Sequence, residues 1–114
     1  MYFERFRVVR DHEPDEVEPM MLFSGERLQF ERRPSVWEGW LWAKSKDGLS
    51  GWVPEAWVEI EGQFCVMTRD YDSTELAVEE GDYLHCLLIE SEWLWGEAPS
   101  GATGWVPLEC LEPM

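Results

Sequence analysis

Hydrophobic and polar residues alternate over short stretches of the chain, which is the pattern of strands with one buried face. In residues 27–31 the apolar Leu28 and Phe30 alternate with polar neighbours, and a similar alternation returns over residues 83–86. Turn-forming pairs such as Asp47-Gly48 interrupt the chain at short intervals. No stretch offers a long amphipathic helix. The pattern therefore predicts short β-strands throughout.

The second half of the chain repeats the first. The segment Trp40-Leu41-Trp42 recurs 53 positions later as Trp93-Leu94-Trp95, and Gly51-Trp52-Val53-Pro54 recurs at the same offset as Gly104-Trp105-Val106-Pro107. Upstream matches have offsets of 56 and 59, so the first copy holds three extra residues in each of two places. Insertions of this size, in intervals rich in proline and charge, belong in surface loops. The chain is therefore a duplicated unit.

The boundary between the copies falls near residues 59–63, which are too few and too apolar for a flexible tether. We expect one domain at residues 1–60 and a second at residues 61–114, packed against each other because so small a unit is near the lower size limit for independent folding. Each copy has about five short strands and a short 3-10 turn before its last strand. In the first copy the candidate for this turn is Pro54-Glu55-Ala56-Trp57, whose proline suits a first helical position. A sheet this small avoids open edges by curling into a barrel. The predicted fold is all-β, with two small barrels in tandem.

Charge and composition narrow the classes of partner. The 114 residues include 24 acidic and 9 basic side chains, for a net charge of −15. Such a chain is a poor ligand for nucleic acid or for an anionic membrane. The chain has no apolar run long enough to span a bilayer and no signal-peptide pattern at its start. Three cysteines without a secretory signal predict buried thiols in a reducing, cytoplasmic environment.

The sequence offers no catalytic or cofactor motif. It has no Gly-x-Ser-x-Gly elbow, no glycine-rich phosphate loop and no cluster of His and Cys ligands. His85 and Cys86 are neighbours on a predicted strand, so their side chains point to opposite faces and could hardly share a metal ion. We therefore expect no enzyme activity, no metal and no cofactor, and a protein or peptide partner for what we expect is a monomer.

Four anchors appear in the same order in both copies and carry a family resemblance. In the second copy they are Arg69-Asp70-Tyr71-Asp72, the acidic Glu79-Glu80-Gly81-Asp82, Trp93 and Gly104-Trp105-Val106-Pro107. Each copy resembles an SH3 domain, and the pair is similar to bacterial variant SH3 proteins made of two such domains. The resemblance implies two SH3-like barrels that bind a proline-containing or basic peptide between aromatic side chains and an acidic loop, called the RT loop, that follows the first strand.

The resemblance also implies the residues of each groove. In the first copy the groove positions are Arg10, His12, Trp40, Pro54 and Trp57, and the acidic side comes from Glu13, Asp15, Glu16 and Glu18. In the second copy the groove positions are Arg69, Tyr71, Trp93, Pro107 and Cys110, and the acidic side comes from Asp72 and Glu75, with Glu90 and Glu92 across the groove. We expect Trp40 and Trp93 to be partly exposed, each with its proline nearby.

Two departures from the SH3 pattern affect the function. Arg10 and Arg69 stand where SH3 grooves usually carry tyrosine. A guanidinium can stack on a neighbouring ring, but it repels a basic ligand unless nearby carboxylates neutralise it. Cys110 replaces an aromatic wall that Trp57 supplies in the first copy, so the first groove is the favoured peptide site. A second hypothesis is a structural or regulatory subunit that docks through its barrel faces, with the grooves sealed by the arginines. A third is binding to the bacterial cell wall.

Overall fold

The computed structural model describes residues 4–14, 18–35 and 37–114. Over these residues the chain is all-β, with two single 3-10 turns at Glu55–Trp57 and Leu108–Cys110. No helix in this part of the chain has the length and apolar character needed to cross a membrane. The described strands, in chain order, are β1 (Arg5–Val8), β2 (Met21–Leu22), β3 (Arg27–Glu31), β4 (Trp40–Lys44), β5 (Ser50–Pro54), β6 (Val58–Glu61), β7 (Phe64–Met67), β8 (Tyr71–Asp72), β9 (Tyr83–Glu90), β10 (Trp93–Glu97), β11 (Thr103–Pro107) and β12 (Leu111–Pro113).

The strands form two five-stranded antiparallel sheets and one two-stranded sheet. One large sheet has the order β11-β10-β9-β1-β12 and the other has the order β5-β4-β3-β7-β6, while β2 pairs with β8. The two orders match strand for strand, as expected for a duplicated sequence. The predicted all-β class, with a 3-10 turn before the last strand of each copy, is confirmed.

The two copies exchange their first strands. β1 lies between β9 and β12 of the second copy, and β7 lies between β3 and β6 of the first copy. The chain accordingly divides into a continuous unit, Glu18–Ser73, and a split unit made of Met1–Val17 and Thr74–Met114. These compact units differ from the sequence division at residues 60 and 61, because each first strand and the beginning of its RT loop belong with the other copy.

The exchange coincides with a tight turn at the sequence boundary. β6 and β7 pair directly, with Glu61 opposite Phe64, so only Gly62 and Gln63 connect them. Gly62 has a φ of +66°, which glycine adopts without steric cost, and a glycine at the first loop position suits a two-residue hairpin. The end of the first copy and the start of the second are therefore one β-hairpin.

Alternating apolar side chains fill the core of the split unit. In β1 the side chains of Phe6 and Val8 are buried while the arginines between them are exposed. The core residues of this unit are Phe6, Val8, Val78, Leu84, Leu94, Val106 and Cys110. Because complete burial of such a side chain contributes about 1.5–3 kcal/mol, this cluster holds the exchanged strand in its sheet.

The core of the continuous unit follows the same alternation with different side chains. From β7 it receives Cys65 and Met67, where the split unit receives Phe6 and Val8 from β1. The buried apolar residues of this unit include Met20, Leu22, Leu28, Leu41, Ala43, Val53, Trp57, Cys65, Met67 and Tyr71. The three cysteines are free thiols, and Cys65 and Cys110 are buried.

Candidate functional site

The RT hairpin of each unit combines segments from both sequence copies. In the continuous unit, β2 pairs with β8, which places Leu22 opposite Tyr71. In the split unit, His12 and Val78 exchange two backbone hydrogen bonds of 2.9 and 3.0 Å. The residues that flank each candidate groove are thus brought together from positions roughly 50 or more residues apart in the chain.

An aspartate at the equivalent position of each unit anchors the RT hairpin. Asp11 Oδ1 accepts a hydrogen bond from the Glu80 backbone N–H at 2.7 Å, and Asp70 Oδ1 accepts one from the Ser24 backbone N–H at 2.9 Å. These bonds satisfy backbone donors at the turn that leads into β9 or β3. Sequence analysis did not assign this role to the two aspartates, although their recurrence after Arg10 and Arg69 was a visible signal.

The groove of the continuous unit centres on Trp40. Trp40 begins β4 directly opposite Pro54 of β5, and its side chain is partly exposed while the proline is buried. Trp57 and Tyr71 make an edge-to-face contact with ring centroids 5.7 Å apart, and each is only 6% exposed. The Tyr71 hydroxyl donates a hydrogen bond to the Trp52 carbonyl at 2.9 Å. Trp40 is therefore the most accessible of the three aromatic side chains assigned to this groove.

Arg69 lies over Trp57, another of the candidate groove residues. Its guanidinium carbon lies 3.9 Å from the centroid of the Trp57 ring, in a cation–π arrangement. Of the roles that the sequence left open for this arginine, the structure therefore shows stacking on a neighbouring ring of its own unit.

The groove of the split unit has a histidine where the other has Tyr71. His12 Nε2 lies 2.8 Å from Glu75 Oε1, and the His12 ring meets the edge of Trp93 at a centroid distance of 5.7 Å. Trp93 lies opposite Pro107 and is 9% exposed. The expectation of partly exposed indoles thus fits Trp40 well, whereas Trp93 is almost buried.

Cys110 of the split unit stands at the position that Trp57 occupies in the continuous unit. Its side chain is 3% exposed, and burial raises the pKa of the thiol. The negative charge of Glu109 also raises that pKa, while the positive charge of Arg10 opposes the shift. Because the thiol stays protonated and buried, Cys110 contributes packing to the split unit and no nucleophile.

The structure groups the predicted groove residues differently from the sequence. Because the first strands are exchanged, Arg10 and His12 lie in the unit of Trp93, and Arg69 and Tyr71 lie in the unit of Trp40. Of the candidate groove residues, the split unit holds Arg10, His12, Glu13, Glu75, Trp93, Pro107 and Cys110. The continuous unit holds Glu18, Trp40, Pro54, Trp57, Arg69, Tyr71 and Asp72.

The predicted acidic residues are divided in the same way. Glu13 is exposed in the split unit and Glu18 is exposed in the continuous unit, while Asp72 is partly buried on β8. Asp15 and Glu16 lie outside the described residues.

Glu90 and Glu92 flank a tight turn at the start of β10. Ser91 Oγ donates a hydrogen bond to Glu90 Oε2 at 2.7 Å, and Glu92 is exposed. Ser91 and Glu92 both have positive φ, at 46° and 74°. No group of three His, Cys, Asp or Glu side chains in the described part of the chain is arranged to hold a metal ion.

Comparison with known proteins supports the SH3 assignment for part of the chain. A family model described as "Variant SH3 domain" matches residues 64–114. A search of curated proteins gave no match, and a search of solved structures gave none either. SH3 domains are typically non-catalytic modules for protein interaction. Residues 64–114 thus correspond to one variant SH3 domain, and the two five-stranded sheets are consistent with tandem SH3-like units.

Proposed function

We propose that this protein is a non-catalytic interaction module that binds a proline-containing peptide segment of a partner protein in the continuous-unit groove. The observation that carries the proposal is the partly exposed Trp40 at the start of β4, beside the buried Pro54. A flat indole next to a rigid pyrrolidine offers a surface on which the proline rings of a polyproline II helix can pack.

Charge favours a ligand with a basic residue. The chain carries 24 acidic and 9 basic side chains, so a cationic peptide is attracted at long range. Within the continuous unit, Glu18 is exposed in the RT region and Glu38 is exposed just before Trp40. These carboxylates would offer partners for an arginine or lysine beside the prolines, and the attraction would weaken with added salt.

The test compares Trp40→Ala with Trp93→Ala, the same change at the equivalent position of the other unit. The probe is a fluorescently labelled synthetic polyproline peptide with one terminal arginine, and fluorescence polarisation measures its Kd. Because a central aromatic contact dominates such interfaces, Trp40→Ala should weaken binding about tenfold or more while Trp93→Ala leaves it within about twofold. Thermal unfolding confirms that both variants are folded at the temperature of the measurement. Equal binding by wild type and Trp40→Ala would rule out this groove.

A second candidate is a subunit that docks through its sheet faces with the grooves closed. The observation that favours it is Arg69 stacked on Trp57, which leaves that ring 6% exposed. Arg69→Ala would uncover the ring. Tighter binding of the polyproline peptide by Arg69→Ala, with no binding by wild type, would favour the closed-groove function.

A further inference from the structure

We propose that the two-residue turn Gly62-Gln63 decides which sequence copy supplies the first strand of each unit, and thereby which side chains share a groove. The proposal goes beyond peptide binding, because it concerns the pairing of strands and holds whatever the ligand is. Only its consequence for the grooves rests on the function proposed above.

The length of the turn limits where β7 can go. Glu61 and Phe64 are paired across the hairpin, and an extended chain advances only about 3.3–3.6 Å per residue. Two residues allow the chain to reverse direction beside β6, whereas a strand in another sheet would need a longer connection. β7 therefore takes the position next to β6.

That position is the one that β1 occupies in the split unit. Met67 pairs with Val58 in the continuous unit, and Val8 pairs with Leu111 in the split unit. Both partners begin the last strand after a 3-10 turn, so the two pairings have the same register. Once β7 holds this position beside β6, β1 is left to fill the matching gap between β9 and β12.

The sizes of the core side chains favour the same distribution of the two first strands between the units. The split unit combines the large Phe6 with the small Cys110, while the continuous unit combines the small Cys65 with the large Trp57. If each copy kept its own first strand, one unit would hold both Phe6 and Trp57, and the other would hold two cysteines. The exchange therefore divides the side-chain volume at these positions more evenly between the two units, and both an excess and a deficit of core volume destabilise a fold.

The exchange determines the chemistry of the grooves. Tyr71 follows β7 and so meets Trp57, whereas His12 follows β1 and so meets Glu75 and Trp93. Without the exchange, His12 would lie in the unit of Trp40, and Tyr71 would lie in the unit of Trp93. The turn therefore assigns the aromatic hydroxyl to one groove and the imidazole–carboxylate pair to the other.

Disulfide trapping tests the strand pairing directly. Arg5 and His85 are exposed partners across β1 and β9, and the hydrogen bond from Cys86 N–H to the Glu4 carbonyl (2.6 Å) makes their own pair the closer, non-hydrogen-bonded kind. Arg5→Cys with His85→Cys therefore reports the exchanged arrangement. The matched control is Arg5→Cys with Gln29→Cys, because Gln29 is the residue equivalent to His85 in the first copy. The native cysteines are replaced by alanine in both.

With the natural turn, we expect the Arg5–His85 pair to oxidise within one chain and the Arg5–Gln29 pair to remain reduced. After insertion of a long glycine–serine segment between Gly62 and Gln63, the Arg5–Gln29 pair should become crosslinked and the Arg5–His85 yield should fall by at least half. The proposal is overturned if the natural chain crosslinks Arg5 to Gln29, if the long-turn chain keeps its full Arg5–His85 yield, or if mass spectrometry shows that the crosslink joins two chains.

A second measurement is used if the variants without the native cysteines fail to fold. In the wild-type protein, NMR should detect close contact between the Hα atoms of Arg5 and His85, and a contact between Arg5 and Gln29 would overturn the proposal. Neither measurement uses a ligand. If these tests support the exchange but Trp40→Ala binds the peptide as well as wild type does, only the proposed function is refuted. If Trp40→Ala loses peptide binding but these tests contradict the exchange, only the exchange is refuted.

Discussion

At the scale of single residues, the turn before β10 and the equivalent turn before β4 place different residue types in the same backbone conformation. The Glu92 carbonyl accepts a hydrogen bond from the first 3-10 N–H of its unit, Leu108, at 2.9 Å, and the Gly39 carbonyl accepts the equivalent bond from Glu55 at 2.8 Å. Both residues have positive φ, at 74° and 92°. Glycine adopts this conformation freely, whereas a glutamate in it is strained.

Glu92→Gly should therefore stabilise the protein. Removal of the side chain relieves the left-handed strain, and part of that gain is offset by the greater freedom of glycine in the unfolded chain. We expect the free energy of unfolding to rise by about 0.5–1 kcal/mol. Urea denaturation followed by tryptophan fluorescence measures the change.

Glu38→Gly is the matched control for this substitution. Glu38 is an exposed glutamate that precedes Gly39 in the equivalent loop, and its φ is not positive. The same chemical change should lower the free energy of unfolding there, because only the entropic cost of glycine applies. Stabilisation by both substitutions, or by neither, would show that the backbone conformation of Glu92 is not the cause.

At the scale of elements, the repeated Gly-Trp-Val-Pro segments pack against their RT hairpins to different degrees. A Cβ built on Gly104 would lie 2.8 Å from the backbone nitrogen of Leu76, while one built on Gly51 would meet only the end of the Met20 side chain, at 2.9 Å. In the split unit the RT backbone is held close by the hydrogen bond from Leu76 N–H to the Trp105 carbonyl. The two motifs have the same sequence, but a side chain in place of the glycine fits less well at Gly104 than at Gly51.

Gly104→Ala should consequently destabilise the protein much more than Gly51→Ala. The new methyl group in the first case displaces a hydrogen-bonded backbone, whereas in the second the flexible thioether of Met20 can move aside. We expect Gly104→Ala to cost about 2–3 kcal/mol and Gly51→Ala about 1 kcal/mol or less. Thermal and urea unfolding of the two variants give the comparison, and equal losses would contradict the difference in packing.

Sequence reasoning recovered the elements because their signals are local. The alternation in residues 27–31, the turn predicted over residues 54–57 and the repeated tryptophans each follow from short-range patterns. The structure confirms the strands and the turns, with Pro54 as the N-cap of its turn and Glu55 as the first residue of that turn. The partners of the strands are not local. β1 and β7 share the alternation of buried and more exposed positions, so this alternation alone does not tell which of β3 and β9 each strand pairs with. The available clue was the Gly62-Gln63 hairpin itself, which sequence analysis treated only as a boundary.

The grouping of the candidate groove residues into two sets differs between the sequence and the structure. Trp40, Pro54 and Trp57 lie near one another in the sequence and share a unit, as predicted. His12 and Tyr71 each lie in the unit opposite to the predicted one, because each residue follows an exchanged strand. Stacking of Arg69 on a neighbouring ring was expected as one option, but the identity of that ring, Trp57, depends on side-chain geometry across that exchange.

At the scale of the whole molecule, charge is concentrated in one unit. The segments of the split unit contain 3 arginines and 14 acidic residues, whereas the continuous unit contains 6 basic and 10 acidic residues. Exposed carboxylates of one sign repel each other in the folded state, and this repulsion is screened by salt. The split unit should therefore be the more salt-sensitive of the two.

Added sodium chloride should raise the melting temperature of the protein. Screening relieves repulsion among the carboxylates. The exposed ion pairs that salt would weaken are each worth little at the surface; they include Arg7–Glu112 (3.3 Å), Arg27–Glu61 (3.2 Å), Arg32–Glu55 (3.1 Å) and Arg33–Glu31. The measurement is the melting temperature by circular dichroism across a salt series. The variant Glu79→Gln/Glu80→Gln removes two exposed charges of the split unit and should show a smaller response. A melting temperature that falls with salt would mean that attractive pairs outweigh the repulsion.

The strand exchange also makes the order of the two copies interchangeable. The Met114 N–H bonds to the Arg5 carbonyl at 3.1 Å, so β12 and β1 meet as β6 and β7 do, except that no turn joins them. The Met114–Arg5 end of the β12–β1 pairing is therefore equivalent to the Glu61–Phe64 end of the β6–β7 hairpin. We expect the same two sheets, with the copies in the opposite order, from a circular permutant in which a two-residue turn replaces residues 1–4 between Met114 and Arg5 and the chain is cut between Gly62 and Gln63.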